Sequence, residues 1–184
     1  MKKVTGFTLV ELVVVIVVLG LLAVAALPRF IDVTDNAKEA SIEAVAGGYA
    51  TAVLSARAQW EGNGRPVAGN QDRPQVDYDG QDFWLTESDD TYRDGYPYEI
   101  EDNSANGIGT PTVNSARCVR LMENLLQNPP SVAINDTDSP KYVAALGGDN
   151  SDVDTACRYT QQEGKEHYFE YDITSGSVTV TLDN

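Results

Sequence analysis

From Leu12 to Leu27 the sequence is an unbroken run of Leu, Val, Ile, Ala and Gly, with no polar position to give it a face. A helix that is apolar all round belongs in a membrane or inside a bundle of helices. Drawn as a helix, Phe7 to Leu27 is about 31 Å long, close to one bilayer core. The pattern changes beyond Pro28. Ile42, Val45, Tyr49, Ala52, Val53, Ala56 and Trp60 recur at steps of three and four, which predicts an amphipathic stripe. Asp32, Asp35, Lys38, Glu39 and Glu43 sit mainly upstream of it. Gly62-Asn63-Gly64 and Pro66 end the element. The prediction is one helix of about fifty residues with an all-apolar half and an amphipathic half. Gly47-Gly48 weakens it by about 1 kcal/mol per glycine relative to alanine. Two readings stand for that pair: close packing or flexibility in an assembly, and room for a bulky side chain from the rest of the chain.

Residues 62–114 are rich in Gly, Asp, Asn and Pro with short aromatic clusters. They predict ordered loop for the most part, with a short strand at Phe83-Trp84-Leu85. A second helix is predicted over Ser115–Gln127, with Leu121, Met122, Leu125 and Leu126 on its apolar face, Cys118 on the same side, and Pro129-Pro130 to stop it. Strands are predicted at Tyr142–Leu146 and Ala156–Thr160. A hairpin pairs Tyr168–Ile173 with Val178–Leu182 around Thr174-Ser175-Gly176-Ser177. A long helix lying on a small antiparallel sheet is an α+β architecture. There is no internal repeat.

Charge sharpens the division of the chain. The formal net charge is −15. Residues 1–60 carry five basic and five acidic side chains, whereas residues 61–184 carry eight and twenty-three. An acidic domain repels phosphates, so no nucleic-acid partner is expected. Lys2 and Lys3 place the N-terminus on the cytoplasmic side of a membrane and the acidic domain outside. An even count of cysteines in such a domain suggests one disulfide, Cys118–Cys157, the alternative being two buried thiols. No histidine adjoins either cysteine to make a zinc site.

Candidate chemistry adds little. The single histidine, His167, adjoins a strand of aromatics and reads as structural. No nucleophile motif, P-loop or His-Glu-x-x-His pattern is present, so no catalytic residue and no enzyme activity are expected. No cofactor is called for. Calcium remains an alternative to a solvated acidic loop at Asp149, Asp152 and Asp154, and also within Asp77–Asp82; alternating carboxylates supply several oxygens, but neither stretch is an EF-hand loop. Tyr78, Trp84, Tyr92, Tyr96 and Tyr98 offer either sugar-stacking rings or plugs for a small core.

One residue defies the apolar segment. Glu11 lies inside it, and a carboxylate in hydrocarbon is a functional hypothesis that requires a partner. A cleaved secretory signal fits poorly, because the helical pattern runs on past the small residues Ala23-Val24-Ala25-Ala26. Gly6-Phe7-Thr8-Leu9-Val10-Glu11, after a basic leader and before the long apolar run, resembles the type IV prepilin signature with its class III signal. The resemblance implies a leader at 1–6, a transmembrane and filament-core helix at 7–28, and a pilin head at 29–184 that includes the amphipathic half of the helix. It implies cleavage between Gly6 and Phe7 by prepilin peptidase, N-methylation of Phe7, pairing of Glu11 with the amine of a neighbouring subunit, and a bend at Pro28, where a helix hydrogen bond is missing. It implies as partners other pilin subunits, the peptidase, an inner-membrane assembly platform and the membrane before assembly, with the final location an extracellular pilus. Leu27-Pro28-Arg29-Phe30-Ile31-Asp32-Val33 and Ala44-Val45-Ala46-Gly47-Gly48 are similar to pilins of the mannose-sensitive haemagglutinin (MSHA) type, nearer a minor pilin than the major one, which implies surface attachment. Asp94-Gly95-Tyr96-Pro97 resembles a turn of the same pilins. A pseudopilin of type II secretion is the first alternative. A single-span anchored protein of other function is the second, and it gives no role to Glu11 or to a cut at Gly6.

Overall fold

A computed structural model describes residues 6–68, 72–101, 110–148 and 154–183, with the backbone alone at 27–32. Residues 1–5 of the leader, and Asp149 and Asp152 of the calcium candidate, lie outside the described residues. Helix α1 runs over Leu9–Gly62, 54 residues. The backbone stays helical through Pro28, although its ring nitrogen leaves the carbonyl one turn earlier without a donor. Two units divide the chain, Met1–Lys38 and Glu39–Asn184.

In the first unit, Leu9–Ala26 is long and apolar enough to cross a membrane. Its large side chains are all exposed, from Leu9 at 77% to Val24 at 70%. The second unit is the head. Its first sheet is an antiparallel meander of β1 (Val67–Ala68), β2 (Arg73–Tyr78), β3 (Gln81–Leu85) and β4 (Pro97–Ile100). Helix α2 (Ser115–Leu125) follows. The second sheet comprises β5 (Val132–Ala133), β6 (Tyr142–Leu146), β7 (Ala156–Gln161), β8 (Tyr168–Asp172) and β9 (Ser177–Thr181) in sequence order. All its neighbours are antiparallel except β5 and β6.

The short strand expected at Phe83-Trp84-Leu85 lies within β3, while the loop expected for most of 62–114 is corrected by the three further strands β1, β2 and β4 among the described residues. Asp79 and Gly80 both take positive φ, 55° and 83°, which closes β2 and β3 with the two-residue turn whose twist suits a hairpin. That Asp-Gly lies in an acidic stretch whose repeated carboxylates obscure it. Elsewhere the differences are small. Leu126 turns extended at φ −90°, ψ 133°, so α2 stops before Gln127 and well ahead of the prolines. Asn114 caps its start by accepting from the Arg117 N–H at 2.9 Å.

The amphipathic half of α1 supplies one wall of the core with Ile42, Ala46, Tyr49, Val53, Ala56 and Trp60, all buried. The Tyr49 ring lies 5.5 Å from Tyr159, 5.7 Å from Phe169 and 5.4 Å from Tyr171, so one side chain joins helix to sheet across two strands. The hydroxyls of Tyr49 and Tyr159 are 3.2 Å apart, and Tyr159 donates to the Cys118 carbonyl at 2.7 Å. Burial raises the pKa of both phenols above the usual range, which keeps them neutral donors. Cys118 of α2 and Cys157 of β7 are joined as a disulfide, both fully buried.

Gly95 has φ +87°, and a Cβ there would lie 2.9 Å from Cε3 of Trp60. Gly48, by contrast, would meet only Leu126 Cδ2 at an ordinary 3.6 Å, and Gly47 nothing within 4 Å. The head therefore requires neither of the two helical glycines to admit a bulky side chain.

Candidate functional site

The N-terminal segment arranges its polar groups locally. Gly6, Phe7 and Thr8 precede the helix, and Phe7 is 87% exposed. A Cβ at Gly6 would meet nothing within 4 Å. The Gly6–Phe7 bond thus sits on open, non-helical backbone. Thr8 is the first cap of α1. Its N–H and its hydroxyl both donate to Glu11 Oε2, at 2.8 and 2.7 Å, while the Glu11 N–H donates to Thr8 Oγ1 at 3.3 Å. This is a capping box, in which two orphan donors of the first turn and a carboxylate satisfy one another. The positive end of the helix dipole adds to the attraction.

The arrangement corrects one premise of the sequence argument. Glu11 has a partner inside its own chain, so even a lone membrane anchor gives it a role. The signal was legible: Thr8-x-x-Glu11 immediately before an apolar run is the sequence form of a capping box.

In the head, the candidate sites become structure. Trp84, Tyr92, Tyr96 and Tyr98 are buried and Tyr78 is half-buried, so these rings plug the core rather than offer a stacking face. His167 is buried, and its Nδ1 accepts from the Asp183 N–H at 3.0 Å, pinning the end of the chain. The stretch Asp77–Asp82 is the β2–β3 hairpin, with Asp77 Oδ1 accepting from the Gly80 N–H at 3.0 Å. Asp82 is exposed, yet its carboxyl pKa is raised from the ordinary value, first by partial desolvation and then by the charges of Asp77 opposite it and Glu101. Among the described residues no three His, Cys, Asp or Glu side chains are grouped to hold a metal ion. Asp154 is described, and its carbonyl accepts from the Val113 N–H at 2.7 Å. A polar surface groove of about 570 Å³, lined by Ser131, Asp136, Lys141 and Glu163 among others, has no histidine or cysteine in its wall.

The sequence reading missed Glu99. It is buried on β4, with Oε1 2.8 Å from both Arg117 Nε and Arg120 Nη2 of α2. Two guanidiniums on one carboxylate hold the helix to the first sheet, and removing one partner of such a group leaves a buried charge exposed to loss of several kcal/mol. No local pattern announces it, because the partners come from separate elements.

Comparison with known proteins bears on the N-terminal segment. Residues 1–27 match the family described as prokaryotic N-terminal methylation motif. The chain is 46% identical over 57 residues to the type IV narrow pilus major component PilA5 of Thermus thermophilus. That alignment covers 31% of this chain and 49% of the relative, so the chain spans about half the length of the curated relative it matches. No solved structure matches it significantly. The apolar N-terminal helix, continued into an α+β head with antiparallel sheets, is a type IV pilin-like fold.

Proposed function

We propose that the chain is a structural subunit of a type IV pilus, of the MSHA-like kind and nearer its minor subunits, which assembles into a filament that attaches cells to surfaces. One observation carries the reading: the methylation-motif match at 1–27 contains an apolar helical stretch, Leu9–Ala26, whose every large side chain is exposed. Thirteen such side chains, Leu9 to Val24, leave roughly 20–40 kcal/mol of apolar burial unused in water, so the segment demands lipid or other helices. A filament subunit uses both in turn. Prepilin peptidase cuts between Gly6 and Phe7 and methylates Phe7, the helix waits in the inner membrane, and the assembly platform draws it into a core of like helices. There Glu11 meets the amine of a neighbour, a pairing that a misplaced subunit breaks. The head is read as non-catalytic and without a cofactor.

Intact-mass measurement of sheared filaments tests this. The expected mass lacks MKKVTG and gains one methyl group; a mature terminus near Ala26 overturns the reading in favour of a secretory signal. The Cys118–Cys157 bond supports a pilin over a type II pseudopilin, in which such a bond is often missing. Calcium held by protein from the 149–154 stretch would favour the pseudopilin instead.

A further inference from the structure

We infer that β9 is a docking edge for the β9 of a second copy of the chain, the two strands pairing antiparallel about a twofold axis normal to the sheet. The inference goes beyond the pilus reading and does not depend on it. It comes from a contrast among the four sheet edges. An edge strand presents unpaired N–H and C=O groups, and folded chains blunt such edges with short strands, proline, inward charges or a covering element. β1 and β5 have two residues each. β4 begins at Pro97 and turns Glu99 inward to the two arginines of α2. β9 has none of these devices. It ends the second sheet, and its five residues pair with β8 in unbroken register. Among the described residues no backbone hydrogen bond reaches the outer side of 178–182. No charged residue stands between Asp172 and Asp183, in a half of the chain that carries twenty-three acidic side chains.

The alternation of the strand selects the occupant. Val178 and Val180 lie opposite Tyr171 and Phe169 of β8 and share their face. Val178 and Leu182 are half-buried there, and Val180 stays exposed where the sheet ends. Ser177, Thr179 and Thr181 form the other face, all exposed. A twofold axis normal to the sheet sets each residue against one of the same parity. In every register that this symmetry allows, the apolar face meets the apolar face and the hydroxyl face meets the hydroxyl face. A strand of five residues spans about 17 Å, too short to bury the roughly 1,200 Å² of a stable interface. A lone head therefore stays monomeric, and the contact holds only where many copies face many copies. On the pilus reading it joins one filament to another, because a helical filament repeats heterologous contacts and a twofold contact closes on itself.

The test uses the full chain, inserted by its apolar helix into phosphatidylcholine vesicles, with clustering of vesicles followed by light scattering. Clustering is expected to rise between about 0.01 and 0.15 M salt, because screening relieves the repulsion of a net charge of −15 and leaves uncharged strands unaffected. A contact made by ion pairs weakens with salt, so a fall overturns the inference. Thr179→Lys and Thr179→Glu each set like charges across the pair. A loss of about threefold per contact, compounded over many contacts, is expected to abolish clustering of either variant with itself. Vesicles bearing Thr179→Lys are expected to cluster with vesicles bearing Thr179→Glu, although both heads remain strongly negative. Thr179→Val is expected to cluster as the unaltered chain does. Variants that cluster with themselves at the unaltered level overturn the inference, and so does failure of the mixed vesicles to cluster. Urea midpoints show that the heads are folded; if the Thr179 variants lower them, Thr181→Lys and Thr181→Glu make the same comparison on the same face. Vesicles of the unaltered chain that stay single at every salt concentration overturn the inference and leave the pilus reading standing, since the mass of sheared filaments tests that reading separately.

Discussion

Asp82 shows how far a single residue's surroundings reach. Its carboxyl binds a proton more tightly in the folded chain than in the unfolded one, because burial and the charges of Asp77 and Glu101 disfavour the ionised form. A raised folded pKa contributes stability that is complete below the ordinary aspartate range and is lost as the pH rises through the folded value. Asp82→Asn is therefore expected to raise the melting temperature at pH 7 and to leave it unchanged near pH ~3, where the native carboxyl is protonated in both states. An equal shift at both pH values would assign the effect to the hairpin rather than to charge. Gly176 makes a steric counterpart. It has φ +73° and a Cβ there collides with the Tyr96 ring, so Gly176→Ala is expected to destabilise by more than about 1 kcal/mol in urea titration.

At the scale of elements, α2 is a clamp. It holds β4 through Glu99 and β7 through the disulfide, whose sequence separation is 39. Removing the bond as Cys118→Ala with Cys157→Ala is expected to cost on the order of 3–4 kcal/mol, read as a lower denaturant midpoint. Since both sulfurs are fully buried, the folded chain should resist alkylation until it is both reduced and denatured. Rapid labelling under reductant alone would show that α2 opens without global unfolding.

For the whole molecule, the decisive join is between the amphipathic half of α1 and the second sheet. Tyr49 touches Tyr159, Phe169 and Tyr171 at once. Tyr49→Ala is expected to cost about 3–5 kcal/mol and to weaken the near-ultraviolet circular dichroism of the tyrosine cluster before the helical signal falls. Residues 61–184 also carry the entire net charge, which favours water, while the apolar half of α1 seeks lipid or other helices. A chain shortened to begin after residue 34 is accordingly expected to run as a monomer without detergent in gel filtration, whereas the full chain requires detergent.

The sequence alone determined what depends on neighbours along the chain. The apolar run and the stripe from Ile42 to Trp60 marked one continuous helix, because both are periodicities of a single element. The Thr174–Ser177 turn marked the β8–β9 hairpin for the same reason, and Thr8-x-x-Glu11 is the local pattern of the cap of α1. The tertiary structure alone decided what depends on partners remote in sequence. Arg73–Tyr78 and Pro97–Ile100 become strands because β3 lies between them, and strand preference follows the packing available more than the residues themselves. Tyr92, Tyr96 and Tyr98 are core because helix and sheets close over them, the reading that their loop-rich setting favoured over a binding face. Glu99 is buried because two arginines from another element arrive to meet it. A cap spans four residues and is written in them; a burial is written only in the contacts that folding brings together.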